Sequence, residues 1–434
     1  MPRPFDCGIS TARRDHPTLI SGRDTVFHSP QPQTWTPATK IPQDRASLRD
    51  EGPMKISIVG GGIGGLATAL AMTKAGLAVT VHERSEQLVD QGAGITLGPN
   101  ATRVLYHLDI GPALEGMSVV PPKMEYRHYS TGAVIKRVIT GDFRAVYGSP
   151  YMRLHRWDLQ HAMMVRLAEV APRALRLGSG VDRLEHGGAG VTLRFADGHT
   201  ETADIVVAAD GIRSAVREAL FNPAPPVFAG FVAWRGLVPT ALLPRHLHES
   251  AVAFGQGHHF NRYLVRRGEL LNFVAVARRV QWEAEGWTIP APIDEFKQEF
   301  ASFDEGTQTI ISRAVEGQVF KWGLFGRPWL EQWWQSRVVL LGDAAHPMLP
   351  FLGQGAANAL EDAMILTRCL TRQSSPEEAF ALYQQTRGPR ARLITEQTAR
   401  RGDRYLGEPT ADSLQGEDQG PQYAYDAVSG PLGR

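Results

Sequence analysis

Residues 55–83 constrain this chain more than any other stretch. Lys55-Ile-Ser-Ile-Val-Gly60 is a short apolar run with β-branched residues, the pattern of a strand buried on both faces. It leads directly into Gly60-Gly61-Gly62-Ile63-Gly64-Gly65, which satisfies G-x-G-x-x-G at Gly60, Gly62 and Gly65. At such positions glycine permits a tight turn, close approach of a pyrophosphate to backbone amides, and close packing of helix on strand. A helix over 66–75, a stop at Gly76 and a second strand over 78–82 are predicted to follow. Glu83 ends that strand, where a carboxylate accepts hydrogen bonds from both ribose hydroxyls of an adenosine and repels a 2′-phosphate. Glycine runs also serve ordinary turns. The strand, helix and carboxylate around this one predict a dinucleotide site, without separating FAD from NAD.

The composition narrows the partners. The chain has 434 residues, with 46 Lys+Arg against 45 Asp+Glu, so it lacks the basic excess that nucleic acid or an anionic membrane surface requires. Cys7 and Cys369 are the only cysteines, which excludes a disulfide framework and a cysteine-rich zinc site and points to the cytoplasm. The most apolar stretch, 55–81, is broken by glycine and polar residues and is no membrane span. Arg13-Arg14 lacks the apolar segment of an export signal. Eight of the 29 prolines fall in residues 1–53, which show no apolar period. Met54 is therefore the expected biological start, and 1–53 an upstream extension or disordered tail.

Further along, Asp197-Gly198 predicts a hairpin between strands at 190–195 and 200–207. Residues 227–280 alternate apolar and polar positions, as in an antiparallel sheet with one face over a cavity. A strand at 337–341, a helix at 356–370 and a charged helix at 383–401 follow, and 402–434 shows no firm pattern. A second constellation sits at the end of the 337–341 strand: Gly342-Asp343-Ala-Ala-His346-Pro347, then Gly353-Gln354-Gly355 opening a helix. An acidic residue at a strand end and glycines at a helix start suit a polyol chain across the helix N-terminus, whose dipole favours negative charge on a reduced flavin; taken alone, the stretch equally suits a loop packing on the sheet.

Three fingerprints now stand in order: Gly60–Gly65 with Glu83-Arg84, Ala209-Asp210-Gly211-Ile212-Arg213-Ser214-Ala215-Val216-Arg217, and Gly342–Pro347. From Met54 to about Arg392 the chain resembles the class A flavoprotein aromatic hydroxylases of the p-hydroxybenzoate hydroxylase fold, in the salicylate, 3-hydroxybenzoate and 6-hydroxynicotinate hydroxylase branch. Gln91–Asn100, Leu154–Leu159 and Phe351–Ala363 carry the likeness further. The resemblance implies an α/β fold: a Rossmann-like FAD-binding domain (54–125, 150–225 and 337–400), an inserted antiparallel-sheet substrate domain (126–149 and 226–336), a C-terminal helix, and an irregular tail (401–434).

It also implies the chemistry. NADH or NADPH, docking transiently for want of a second Rossmann unit, reduces FAD; dioxygen forms a flavin C4a-hydroperoxide, which hydroxylates a small phenolic or N-heteroaromatic acid. The protein is expected to be a monomer or homodimer. Carried over by position, the cofactor-binding set is Gly60, Gly62, Ile63, Gly64, Gly65, Glu83, Arg84, Arg156, Asp210, Asp343, Gly355 and Ala356. Asp210 is expected to act by fixing neighbouring arginines, and Arg156 by contacting the phosphate and ribityl region. The catalytic base has no assignment. Trp234 stands where relatives carry His or Tyr, and its indole N–H only donates; Thr96 stands where the 6-hydroxynicotinate enzymes use His. Trp234, Arg235 and Pro347 are candidates for the substrate side, Arg235 as a phenolate or carboxylate contact and Pro347 on the oxygen side. For His258 and His259 a solvated loop is expected over a segment reaching the cavity, and His346 is expected as packing near the ring.

Competing readings are a same-fold epoxidase, a hydroxyquinolone-type hydroxylase, and a non-catalytic flavin-binding module. A halogenase fails because Glu285 replaces the first Trp of W-x-W-x-I-P ahead of Trp287-Thr-Ile289-Pro290.

Overall fold

The computed structural model describes residues 54–433 except 91, 188–189, 222–223, 283–288, 316–317, 406 and 415–419. The expectations for 1–53, Gln91, Glu285 and Trp287 lie outside the described residues.

The strand Ile56–Val59 is buried along its length and pairs in parallel on both edges, with Val79–His82 and Ile205–Ala208. Continuous apolar character is what burial on both faces requires. Val338–Leu340 extends the sheet in parallel beside Ile205–Ala208, and Trp334–Gln335 and Leu175–Arg176 complete six strands. The first helix begins at Ile63, inside the glycine motif, three residues earlier than its apolar pattern predicts. Gly62 is its extended N-cap, so the turn and the helix start are the same residues. The helix Gly355–Leu370 packs against it, with Ala359 facing Gly64. The hairpin at Asp197-Gly198 forms, but its second strand breaks at Asp204, and Ile205–Ala208 enters the six-stranded sheet.

A second sheet of eight strands runs in the order Ile289–Pro290, Phe320–Gly326, Val227–Pro239, Leu270–Arg278, His258–Val265, Ala251–Gly255, Lys123–His128 and Val134–Ile139. Its neighbours are antiparallel except Ala251–Gly255 beside Lys123–His128, which are parallel. Side chains of Val227–Pro239 alternate between two cores. Val232, Trp234 and Val238 join Phe273, Phe296 and Phe300, covered by the helices Ile293–Glu299 and Glu305–Ser312. Phe231 and Ala233 join Val252, Val276, Trp322 and Phe351 on the opposite face, and that face looks into a cavity.

The charged helix is longer than its pattern suggests, Pro376–Arg404. Beyond it, the chain has little regular structure but is tightly held. Arg103 donates to the Tyr425 carbonyl at 2.7 Å, Arg368 to Ala427 at 2.8 Å and Gly430 at 2.6 Å, and Gly433 N–H to Thr386 at 2.8 Å. Among the described residues no helix is long and apolar enough to cross a membrane.

Candidate active site

The three glycines of the turn are required for three different reasons. Gly60 has φ +105°, and a Cβ there would meet the Ala209 carbonyl oxygen at 2.5 Å. A Cβ on Gly65 would collide with the Gly60 carbonyl, whereas one on Gly62 would meet nothing within 4 Å. The first glycine makes the turn, the last lets the helix close on it, and the middle one leaves the helix N-terminus open to a ligand. Glu83 accepts from Gly61 N–H at 2.7 Å through Oε2 and from Ser85 N–H at 2.9 Å through Oε1. Each oxygen keeps a lone pair for a ribose hydroxyl. Arg84 is exposed beside it. The Ile63 side chain is a core residue at 4 % exposure, so only its backbone can serve a cofactor.

A cavity of about 670 Å³ lies between the two sheets' neighbouring elements. The glycine turn and Glu83 do not line it, but Arg156 does. One helical turn bridges the two regions: Arg156 starts the helix Arg156–Val170, and Gln160 Nε2 donates to the Gly61 carbonyl at 2.9 Å. Arg156 and Asp343 are enclosed by protein yet keep accessible surface, because both face the cavity. Burial pushes the Asp343 carboxyl above the usual aspartate range, against the pull of His346 and Arg156. Burial pulls the Arg156 guanidinium down, against the pull of Asp343. Their charges act on one another across the cavity without forming an ion pair. Gly355 and Ala356 also line the cavity, at the N-terminus of a 16-residue helix whose first turn has no side-chain cap. Its free N–H groups and dipole face whatever occupies that end.

The loop carrying Asp343 is fixed from behind. Asp362 accepts from Gly342 N–H at 3.0 Å, from Arg387 Nε at 2.7 Å, and lies 2.7 Å from His346 Nε2. His346 is thus a buried brace at 3 % exposure. Arg217, the last residue of the second fingerprint, donates to the carbonyls of Ala344 at 3.1 Å and Ala345 at 3.0 Å. It ties the second motif to the third. Asp210 behaves differently from the expectation that it fixes arginines. Its Oδ2 accepts from Val216 N–H at 3.3 Å at the start of the helix Ala215–Phe221, and its Oδ1 is buried without a hydrogen-bond partner. A short acidic side chain two turns from the motif's end caps a helix more readily than it reaches a long cation.

The cavity wall is also aromatic and cationic, with Tyr126, Tyr151, Tyr263, Tyr405, Tyr423, Arg153 and Arg401 in it. Trp234 is a correction: its indole faces away, stacked on Phe296 at 6.1 Å and edge-on to Phe300 at 5.8 Å. Strand parity puts it on the wrong face. Arg235 points to the cavity side, its guanidinium 5.2 Å from the Trp322 ring, itself a wall residue. Pro347 and Thr96 line the cavity. His259 is a second correction. It lies in the strand His258–Val265, buried against Phe351 and Tyr405 in the cavity wall, and burial pushes its imidazole down to about 3. His258 pairs instead with Glu299 at 2.7 Å. Sequence reasoning missed Arg153, Tyr263 and Tyr423. The first had a visible signal, an arginine inside the apolar run Tyr151–His155.

The open Cβ positions of Gly62 and Gly355, the cavity-facing Asp343 and the partnerless Asp210 Oδ1 fit a flavin dinucleotide stretched from the glycine turn into the cavity. The FAD binding domain family model matches residues 54–398. The chain belongs to the class A FAD-dependent aromatic hydroxylases. It is 36% identical over 395 residues to a 3-amino-4-hydroxybenzoate 2-monooxygenase of Streptomyces platensis, covering 87% of this chain and 97% of that one. It is 35% identical to a 6-hydroxynicotinate 3-monooxygenase of Pseudomonas fluorescens, covering 78% and 89%. The solved structure of Klebsiella pneumoniae HpxO complexed with FAD and uric acid superposes with a TM-score of 0.74 at 27% identity, covering 83% and 91%. This hydroxylase is accordingly an FAD-dependent monooxygenase, with the mixed α/β fold of its relatives.

Proposed function

We propose that the protein hydroxylates a small phenolic or N-heteroaromatic acid in the cytoplasm, using NADH or NADPH and dioxygen. The observation that carries this reading is one chamber walled by two chemically distinct sets of residues. Asp343, Pro347, Gly355 and Ala356 are the set suited to a flavin, and the tyrosines and arginines are the set suited to an aromatic acid.

In this reading Glu83 holds the adenosine ribose, the amides from Gly62 to Gly65 hold the pyrophosphate, and Arg156 supplies positive charge beside it. Asp343 accepts a hydrogen bond from the ribityl chain, and the Gly355–Ala356 amides face the pyrimidine edge. The six-stranded sheet and its helices serve as the FAD-binding part, and the eight-stranded sheet as the substrate part. FAD, when bound, would supply the redox chemistry: hydride acceptance from the nicotinamide and activation of dioxygen for the ring. The protein's residues place the ring, exclude water and stabilise phenolate charge, with Arg235 on the cavity side of its strand for that last task.

The test is an NAD(P)H-oxidation screen of the holoenzyme against salicylate, hydroxybenzoates, 3-amino-4-hydroxybenzoate, 6-hydroxynicotinate and hydroxyquinolines. Peroxide and hydroxylated product are scored separately. Background oxidation with every compound would overturn the reading.

A further inference from the structure

We infer that Arg153 anchors the carboxylate of the aromatic substrate. The inference rests on the hydroxylase reading and assigns the residue that recognises the acid within it.

Arg153 lines the cavity and is only 1 % exposed. Its Nε and Nη1 are buried with no hydrogen-bond partner, and Nη2 meets Met124 Sδ at 3.4 Å. A thioether is a weak acceptor. Among the described residues no carboxylate lies within ion-pair reach of it. The guanidinium sits over the Tyr263 ring at 4.5 Å and the Tyr151 ring at 5.8 Å. Those faces hold its plane and offset part of the cost of burial, but a buried cation still calls for an anion with hydrogen-bond acceptors. Among the described residues Asp343 is the one acidic residue in the cavity wall, and its charge acts on Arg156.

The anion is therefore expected to arrive with the ligand. The FAD phosphates are a poor match, because Arg153 lies opposite Thr96 in the pairing of Met152–His155 with Gly94–Leu97, among Met124, Tyr151 and Tyr263. The glycine turn is instead reached through the helix that Arg156 begins. A planar guanidinium fork matches a carboxylate with two parallel hydrogen bonds. The neighbouring tyrosines supply walls for the ring that carries it.

The experiment compares 3-amino-4-hydroxybenzoate with its carboxamide, 3-amino-4-hydroxybenzamide, on FAD-loaded wild type, Arg153→Met and Arg153→Lys. Binding is read from the perturbation of the flavin spectrum, and FAD content and melting temperature report folding. Wild type is expected to bind the acid more tightly than the amide. Arg153→Met should weaken the acid roughly 10- to 100-fold while leaving the amide nearly unchanged, and Arg153→Lys should recover part of the loss. Three outcomes overturn the anchor: wild type binding acid and amide equally, wild type binding neither, or a flavin-loaded Arg153→Met that loses acid and amide alike or loses neither. None of these touches the hydroxylase reading, which fails only if the wider aromatic panel stimulates no oxidation. If Arg153→Met does not fold, the wild-type comparison and Arg153→Lys still decide.

Discussion

The carboxylate of Asp362 lies 2.7 Å from His346 Nε2 and accepts from Arg387 Nε at 2.7 Å, all three side chains fully enclosed. One buried aspartate thereby joins the loop that carries Asp343 to both long C-terminal helices. Burial would raise its carboxyl, but His346 and Arg387 hold it well below the usual range. Removing one member of such a network strands the others. Asp362→Ala is expected to cost about 3–5 kcal/mol of stability, measured by urea denaturation at neutral pH. A loss below about 1 kcal/mol would contradict the network's role.

In the proposed reading Asp343 serves the cofactor and not the fold. Asp343→Ala should weaken FAD binding by about 1.5–3 kcal/mol, the worth of a hydrogen bond to a charged group. Fluorescence titration of deflavinated protein with FAD measures it. Unchanged affinity would remove Asp343 from the site.

Two glycines three residues apart should respond in opposite ways. Gly62→Ala meets open space and should change apoprotein stability by less than about 1 kcal/mol. It should still weaken FAD roughly tenfold or more, because the methyl intrudes where the pyrophosphate approaches. Gly65→Ala strikes the Gly60 carbonyl and should fail to accumulate as folded protein. Equal melting temperatures for the two variants would refute this division.

His258 and Glu299 form a pH-sensitive brace away from the cavity. Burial opposes charge on both, yet the hydrogen bond between them raises His258, and with Arg279 lowers Glu299 to about 2. The histidine's contribution is complete below its unfolded pKa of about 6.5 and fades as pH rises through the higher folded value. The glutamate's is complete above about 4.3 and fades as pH falls toward 2. Their joint stabilisation should peak between about pH 4.3 and 6.5. His258→Gln should lower the melting temperature most in that window, and a pH-independent loss would exclude the pairing.

Tyr423 packs on Phe143 at 5.2 Å and Tyr151 at 6.0 Å and forms part of the cavity wall. Tyr423→Ala should admit water and raise the peroxide released per NAD(P)H oxidised, while FAD content stays near that of wild type. Simultaneous peroxide and product assays test it, and unchanged coupling would show that the wall closes without this ring.

The strand, glycine turn and first helix were legible because their information is local: spacing alone separates Gly60, Gly62 and Gly65 into three roles. Alternation likewise reveals the sheet around Val227–Pro239, but not which parity faces the cavity, and Trp234 turns out to lie on the face away from it. Only packing of the helices Ile293–Glu299 and Glu305–Ser312 over Trp234 decides that parity. Arg153 acquires its surroundings from Tyr263, which is brought alongside by another sheet. Tyr423 sits in a segment without period, where position is set by carbonyls that Arg103 and Arg368 happen to reach.

The order of the chain gives the returning C-terminal segment one more consequence. Tyr423 leaves the ribosome after every other described residue in the wall of the chamber. The sheets, the glycine turn and the braced loop around Asp343 can assemble while that side is still open, since domains begin to fold during synthesis. Closure of that side is then expected to follow assembly of the rest of the wall.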